Sequence, residues 1–211
     1  MARIGIMGGT FDPIHNTHLM LGIQAFREYH LDAVWYMPSK CPPHKSGHVI
    51  TTVQNRCEMV RLAIHPYPFM VFSDFELLRE GKTYTADTLR LLHESYPEHT
   101  FFFIIGADSL FDIELWYHPE QVLTQATFLV SSRLAMKREP DAELEERLCA
   151  QMQHLKEKYH ADIHRLHGLD TDVSSTKIRA CVSEGRSVRH MVPAEVAAYI
   201  EKNHLYQRIS E

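Results

Sequence analysis

Ile4-Gly5-Ile6-Met7-Gly8-Gly9-Thr10-Phe11-Asp12-Pro13-Ile14-His15-Asn16-Thr17-His18 opens with a short apolar run that stops at two glycines. An apolar run ending this way reads as a buried strand entering a tight turn. Beyond it, Leu19 to Tyr29 carries apolar side chains at helical spacing through Leu19, Ile23 and Phe26. A strand, a glycine turn and a helix in succession open a βαβ unit. Gly8 and Gly9 let backbone N–H groups come close to a phosphate, and the helix N-terminus behind them adds a dipole that favours an anion. The turn is not GxGxxG, and GxxxxGK[ST] is absent, so neither the hydride-cofactor fingerprint nor a P-loop is present.

The same alternation continues outward. Ala33 to Met37 is a second apolar run, stopped by Pro38. Pro38 to Thr51, with Pro42, Pro43 and Gly47, reads as a loop. Thr52 is placed to cap a helix running to about Ile64, with Val53, Cys57, Val60 and Ile64 on one face. Phe69 to Phe72 predicts a third strand, and Ala86 to Tyr96 a helix with Leu89 and Leu92 inward. Phe101-Phe102-Phe103-Ile104-Ile105, closed by Gly106, is apolar on both alternating faces, as a central parallel strand covered on both sides should be. Thr127 to Val130 and Ile163 to Leu166 predict two more strands, with a charged amphipathic helix over Asp141 to Tyr159 between them. Ser174 and Pro193 each stand at the start of a final helix. The expected fold is α/β: a Rossmann-like, doubly wound parallel sheet with helices on both faces, in one domain over residues 1–211. In such a sheet ligands collect at the carboxyl ends of the strands.

Four motifs fall at those ends or at helix starts. In the first, Gly8, Gly9, Thr10 and Phe11 form the turn, and His15 and His18, three residues apart, share a helix face if the helix has begun by His15. Such a pair alone is more often two surface side chains; beside a glycine turn it favours triphosphate oxygens. The second is Val173-Ser174-Ser175-Thr176-Lys177-Ile178-Arg179. Ser174, Ser175 and Thr176 both cap a helix and offer donors to an anion, and the Arg179 fork suits phosphate. The third, Pro38-Ser39-Lys40-Cys41-Pro42-Pro43-His44-Lys45, presents His44 and Lys45 on a proline-stiffened loop. Cys41, His44 and His48 make at most a weak metal set, and His160, His164 and His167 share no face, so no protein metal site is expected. The fourth joins Tyr84-Thr85-Ala86-Asp87-Thr88 at a helix start, Gly106-Ala107-Asp108-Ser109 after the central strand, and Trp116-Tyr117. Asp108 suits ribose hydroxyls, and Trp116 offers either a flat stacking face or ordinary packing.

A net charge of -5 argues against a general nucleic-acid binder. No apolar stretch reaches membrane-spanning length, and Ile4 to Met7 is too short for a signal sequence. Cys41, Cys57, Cys149 and Cys181 are scattered without a CxxC pair, which fits a reducing, cytoplasmic setting. Homo-oligomerisation is left open.

His15-Asn16-Thr17-His18 resembles the HxGH signature of the nucleotidylyltransferase superfamily, and Gly8 to Pro13 followed by His15 resembles the bacterial nicotinate-mononucleotide adenylyltransferases. Ser174 to Arg179 is similar to the second signature of that family, and Pro42-Pro43-His44-Lys45 to its mononucleotide loop. The chain departs from the pattern at Thr17, where the family usually has glycine; a β-branched residue narrows the backbone there and is expected to alter the approach of ATP, with an effect on rate rather than on function. The resemblance implies adenylyl transfer from ATP to nicotinate mononucleotide, giving deamido-NAD and pyrophosphate, with magnesium carried mainly by ATP. It assigns His15, His18 and Arg179 to catalysis, and Gly8, Gly9, Thr10, Phe11, Gly106, Asp108, Ser174, Ser175 and Thr176 to ATP. His44, Lys45, Thr85, Asp108, Trp116 and Tyr117 are assigned to the mononucleotide. The helical part at about 174–206 would complete the ATP site. Two alternatives stay open: another small-acceptor transferase, using nicotinamide mononucleotide or pantetheine phosphate, and a nucleotide-binding regulator without turnover.

Overall fold

The computed structural model describes residues 1–40, 50–131, 142–167 and 173–207. Six parallel strands, β1 (Arg3–Gly9), β2 (Ala33–Pro38), β3 (Met70–Phe72), β4 (Thr100–Gly106), β5 (Thr127–Ser131) and β6 (Ile163–Leu166), form one sheet in the order β3-β2-β1-β4-β5-β6. The helices are α1 (Asn16–Glu28), α2 (Val53–Ile64), α3 (Thr85–Ser95), α4 (Ala107–Phe111), α5 (Pro119–Thr124), α6 (Ala142–Tyr159), α7 (Ser175–Ser183) and α8 (Ala194–Lys202), with a 3₁₀ turn at Ile113–Leu115. The chain winds outward through β1, β2 and β3, then returns to place β4 on the other flank of β1. That reversal opens a crevice at the carboxyl ends of β1 and β4.

The expected doubly wound sheet is present. The apolar run of β4 serves both faces: Phe102 and Ile104 join the core beneath α1, α2, α7 and α8, while Phe101, Phe103 and Ile105 join the core beneath α3, α4, α5 and α6. Thr52 caps α2 as expected, accepting from the Asn55 N–H at 3.2 Å. Close packing of α1 on β2 depends on Gly22, where an added Cβ would collide with the Tyr36 hydroxyl. That hydroxyl lies fully buried and donates to the His18 carbonyl at 3.0 Å. Helix α1 begins at Asn16, three residues earlier than its apolar spacing indicates, so His15 is the N-cap rather than a helical residue. Segments α4, the 3₁₀ turn and α5 carry no sequence expectation. Each is too short to show a period, and each is fixed by burying Leu110, Ile113, Val122 or Leu123 against the sheet.

Candidate active site

The crevice holds a cavity of about 580 Å³ whose wall brings together segments far apart along the chain. Gly8, Gly9 and Thr10 come from the β1 turn, His18 from α1, Thr85 from the start of α3, and Gly106, Asp108, Trp116 and Tyr117 from the stretch after β4. All were expected from the sequence. Gly106 caps α4 with open space around it, so the strand end faces the cavity directly. The Tyr84 and Tyr117 rings meet at 4.4 Å, which sets the α3 N-terminus beside the Trp116-Tyr117 backbone. Thr85 lies in the first turn of α3, where backbone N–H groups have no intrahelical partner. The side chain of Trp116 both lines the cavity and packs against the core, so its stacking and packing readings coexist. His44 and Lys45, with Cys41 and His48, lie outside the described residues.

Backbone bonding fixes the chemistry of the histidine pair. The His15 backbone N–H donates to Nδ1 of His18 at 3.2 Å, and the His18 N–H donates to the His15 carbonyl at 2.9 Å. Since Nδ1 accepts, the neutral His18 ring carries its proton on Nε2, ready to donate. The Phe11 ring meets the His18 ring edge-on, with centroids 5.1 Å apart. Phe11 is itself buried, so the structure places it behind His18 rather than in the cavity wall. His15 is only 1% exposed, with its ring 3.8 Å from that of His18. It therefore sits behind its partner and does not reach the cavity wall.

Motif two is folded onto motif one. Ser174 caps α7, accepting from the Lys177 N–H at 3.2 Å. Ser175 donates its hydroxyl proton to the Pro13 carbonyl at 2.9 Å, and Arg179 Nη1 donates to the Asp12 carbonyl at 2.7 Å. A hydroxyl has one proton, so an anion that takes the Ser175 side-chain donor has to compete with the Pro13 carbonyl for it. The N-termini of α1 and α7 thus lie side by side, with exposed Thr176 between Arg179 and solvent. Thr17 does not line the cavity. It is 1% exposed, and its hydroxyl donates to the Val173 carbonyl at 3.3 Å instead of facing the cavity.

Arg56, Asp12, Tyr206 and Glu76, none of them assigned a role from the sequence, hold this arrangement. Arg56, 1% exposed, donates through Nη1 to the Thr10 carbonyl at 2.6 Å and through Nη2 to the Ser39 carbonyl at 2.8 Å. It ties the turns after β1 and β2 together. Its signal in the sequence was an arginine on the apolar stripe of α2, between Thr52 and Val60. The buried Asp12 carboxylate accepts from the Tyr206 hydroxyl at 2.8 Å and from the Thr51 N–H at 3.4 Å. Glu76, on the cavity wall, accepts from the Thr88 and Thr83 hydroxyls at 2.9 and 3.3 Å. Burial pushes its carboxyl above the usual range despite those hydroxyls.

Among the described residues no group of three or more His, Cys, Asp or Glu is placed to hold a metal ion. No helix among them is long and apolar enough to cross a membrane.

A cytidylyltransferase-like family model matches residues 6–181. The chain is 40% identical over 206 residues to a probable nicotinate-nucleotide adenylyltransferase of Lachnoclostridium phytofermentans, covering 98% of this chain and 100% of the relative. It is 41% identical over 208 residues to a protein of the same name from Desulfitobacterium hafniense strain Y51, covering 97% and 96%. Its fold is similar to that of Plasmodium falciparum nicotinic acid mononucleotide adenylyltransferase complexed with NaAD, with a TM-score of 0.78, 22% identity and 98% coverage of each chain.

Proposed function

The chain belongs to the cytidylyltransferase-like family and, within it, to the nicotinate-nucleotide adenylyltransferases, and from that membership we propose how its site works. The reaction moves the adenylyl group of ATP onto the phosphate of nicotinate mononucleotide, releasing pyrophosphate and forming deamido-NAD, a step of NAD biosynthesis. One observation carries the reading: two helix N-termini, those of α1 and α7, converge beside a cavity at the carboxyl ends of β1 and β4. Paired N-termini favour a polyanion.

The attacking group is a phosphate oxygen, already anionic near neutral pH, so no general base is assigned. Catalysis is positioning plus stabilisation of charge on the α-phosphate and the departing pyrophosphate. His18 Nε2–H is the donor to the α-phosphate, its tautomer set by the His15 backbone. The α7 N-terminus, Thr176 and Arg179 face the β and γ oxygens. His15 acts through His18. Asp108 accepts ribose hydroxyls, Trp116 stacks on the pyridine ring, and the backbone near Thr85 and Tyr117 receives the acceptor's carboxylate.

Magnesium would enter carried mainly on the triphosphate, whose oxygens suit the ion. When bound, the ion neutralises phosphate charge. Free thiols at Cys57, Cys149 and Cys181 support a reducing, cytoplasmic setting. Pyrophosphate release from ATP, assayed with nicotinate mononucleotide, nicotinamide mononucleotide and pantetheine phosphate, tests the reading. The first acceptor should give the highest kcat/KM. ATP binding without pyrophosphate release from any acceptor would leave a regulator instead.

A further inference from the structure

Thr17 is the second residue of α1, where a threonine hydroxyl ordinarily turns back to a local backbone group. The carbonyl one turn back, that of Pro13, already accepts from Ser175. The Thr17 hydroxyl reaches instead to Val173, 156 residues along the chain and one residue before the cap of α7. It therefore joins the first turn of one phosphate-facing helix to the entry of the other.

That link differs in kind from its neighbours. Each helix N-terminus carries a partial positive charge of about +0.5, so two of them side by side repel until an anion lies between them. Polar bonds across the gap oppose the separation. Two of these, Ser175 to Pro13 and Arg179 to Asp12, are made by groups that sit at the triphosphate in the proposed reading, so a bound anion competes for them. Thr17 is buried and outside the cavity wall, so ATP does not reach it and its bond outlasts binding.

We propose that Thr17 is a positioning residue for ATP: its hydroxyl, fixed to the Val173 carbonyl, sets the spacing between the N-termini of α1 and α7 that the triphosphate has to bridge. The inference rests on the reading that α7 holds the triphosphate, and its test includes direct ATP binding so that the two can fail separately.

Thr17→Val keeps the shape and removes the donor, Thr17→Ala removes both, and Thr17→Ser keeps the hydroxyl. For Val and Ala the ATP Kd by calorimetry and the ATP KM should rise about fivefold, the size one neutral hydrogen bond supports. The mononucleotide KM should stay within about twofold of the parent, because the acceptor half of the cavity is built from other elements. Ser should recover most of the ATP affinity. Val or Ala with the parent's ATP Kd would overturn the proposal. So would equal increases in both KM values, loss of folding in Val and Ala but not in Ser, or failure of Ser to recover. A parent that binds ATP more weakly as Thr17→Val but never releases pyrophosphate would refute the enzymatic reading and leave the positioning role standing.

Discussion

At the level of single side chains, the ring of His18 is useful because the neighbouring backbone decides which nitrogen holds the proton. Removing that preorganised donor should lower kcat by on the order of a hundredfold or more in His18→Ala. Steady-state kinetics on the folded variant checks this, and activity within a few-fold of the parent would remove His18 from the reaction. Trp116→Ala should raise the mononucleotide KM well beyond the ATP KM, because the indole lines the cavity and the proposed reading stacks it on the acceptor's pyridine ring. Matching changes in the two constants would leave it a packing residue. Both side chains were legible in the sequence because they lie next to a strand end that faces ligand. Asp12 and Arg56 were not. Their importance comes from partners 194 and 46 residues away, Tyr206 and the Thr10 carbonyl, and local spacing carries no trace of such pairings. The part played by Thr17 was missed for the same reason, since its partner lies across the fold.

Among the elements, α2 supports the site without touching the cavity. Its buried Arg56 holds the Thr10 and Ser39 carbonyls, so the turns after β1 and β2 share one cation. Arg56→Met keeps the apolar stem and leaves both carbonyls without that donor. The expected cost is about 3 kcal/mol, the range for losing charged hydrogen bonds in a buried setting. For a chain of this size that is a fall in Tm of roughly 6 to 12 °C. Thermal unfolding measures it, and a change under about 2 °C would mean that the guanidinium contributes little. The elements themselves were largely readable. A five-residue apolar run closed by Gly106 has few alternatives to a central strand, and Thr52 and Ser174 mark helix starts by caps that the structure retains. The 107–124 region was not readable. Its short helices exist because the second core covers them, and no local period announces that.

For the molecule as a whole, one buried and one half-buried phenol make stability fall at alkaline pH. Burial raises the pKa of Tyr36 above its ordinary 10.0, and burial with the adjacent Asp12 carboxylate raises that of Tyr206. Below pH 10 both are protonated in the folded and unfolded chain alike, and their contribution is complete. Above it the unfolded chain releases protons that the folded chain retains, so stability falls by about 1.4 kcal/mol per pH unit for each. Urea unfolding between pH 8 and 11 should show this decline, and Tyr206→Phe should flatten it by about one such increment. An identical slope in the variant would assign the decline elsewhere. The Tyr206–Asp12 bond also bears on how the protein is made. Asp12 is synthesised 194 residues before Tyr206, so an emerging chain lacks their bond until Tyr206 has left the ribosome. The sheet can assemble before that bond forms, whereas the proposed grip on the triphosphate waits for α7. On that reading, ribosomes stalled before residue 174 should retain no ATP that the released protein would hold.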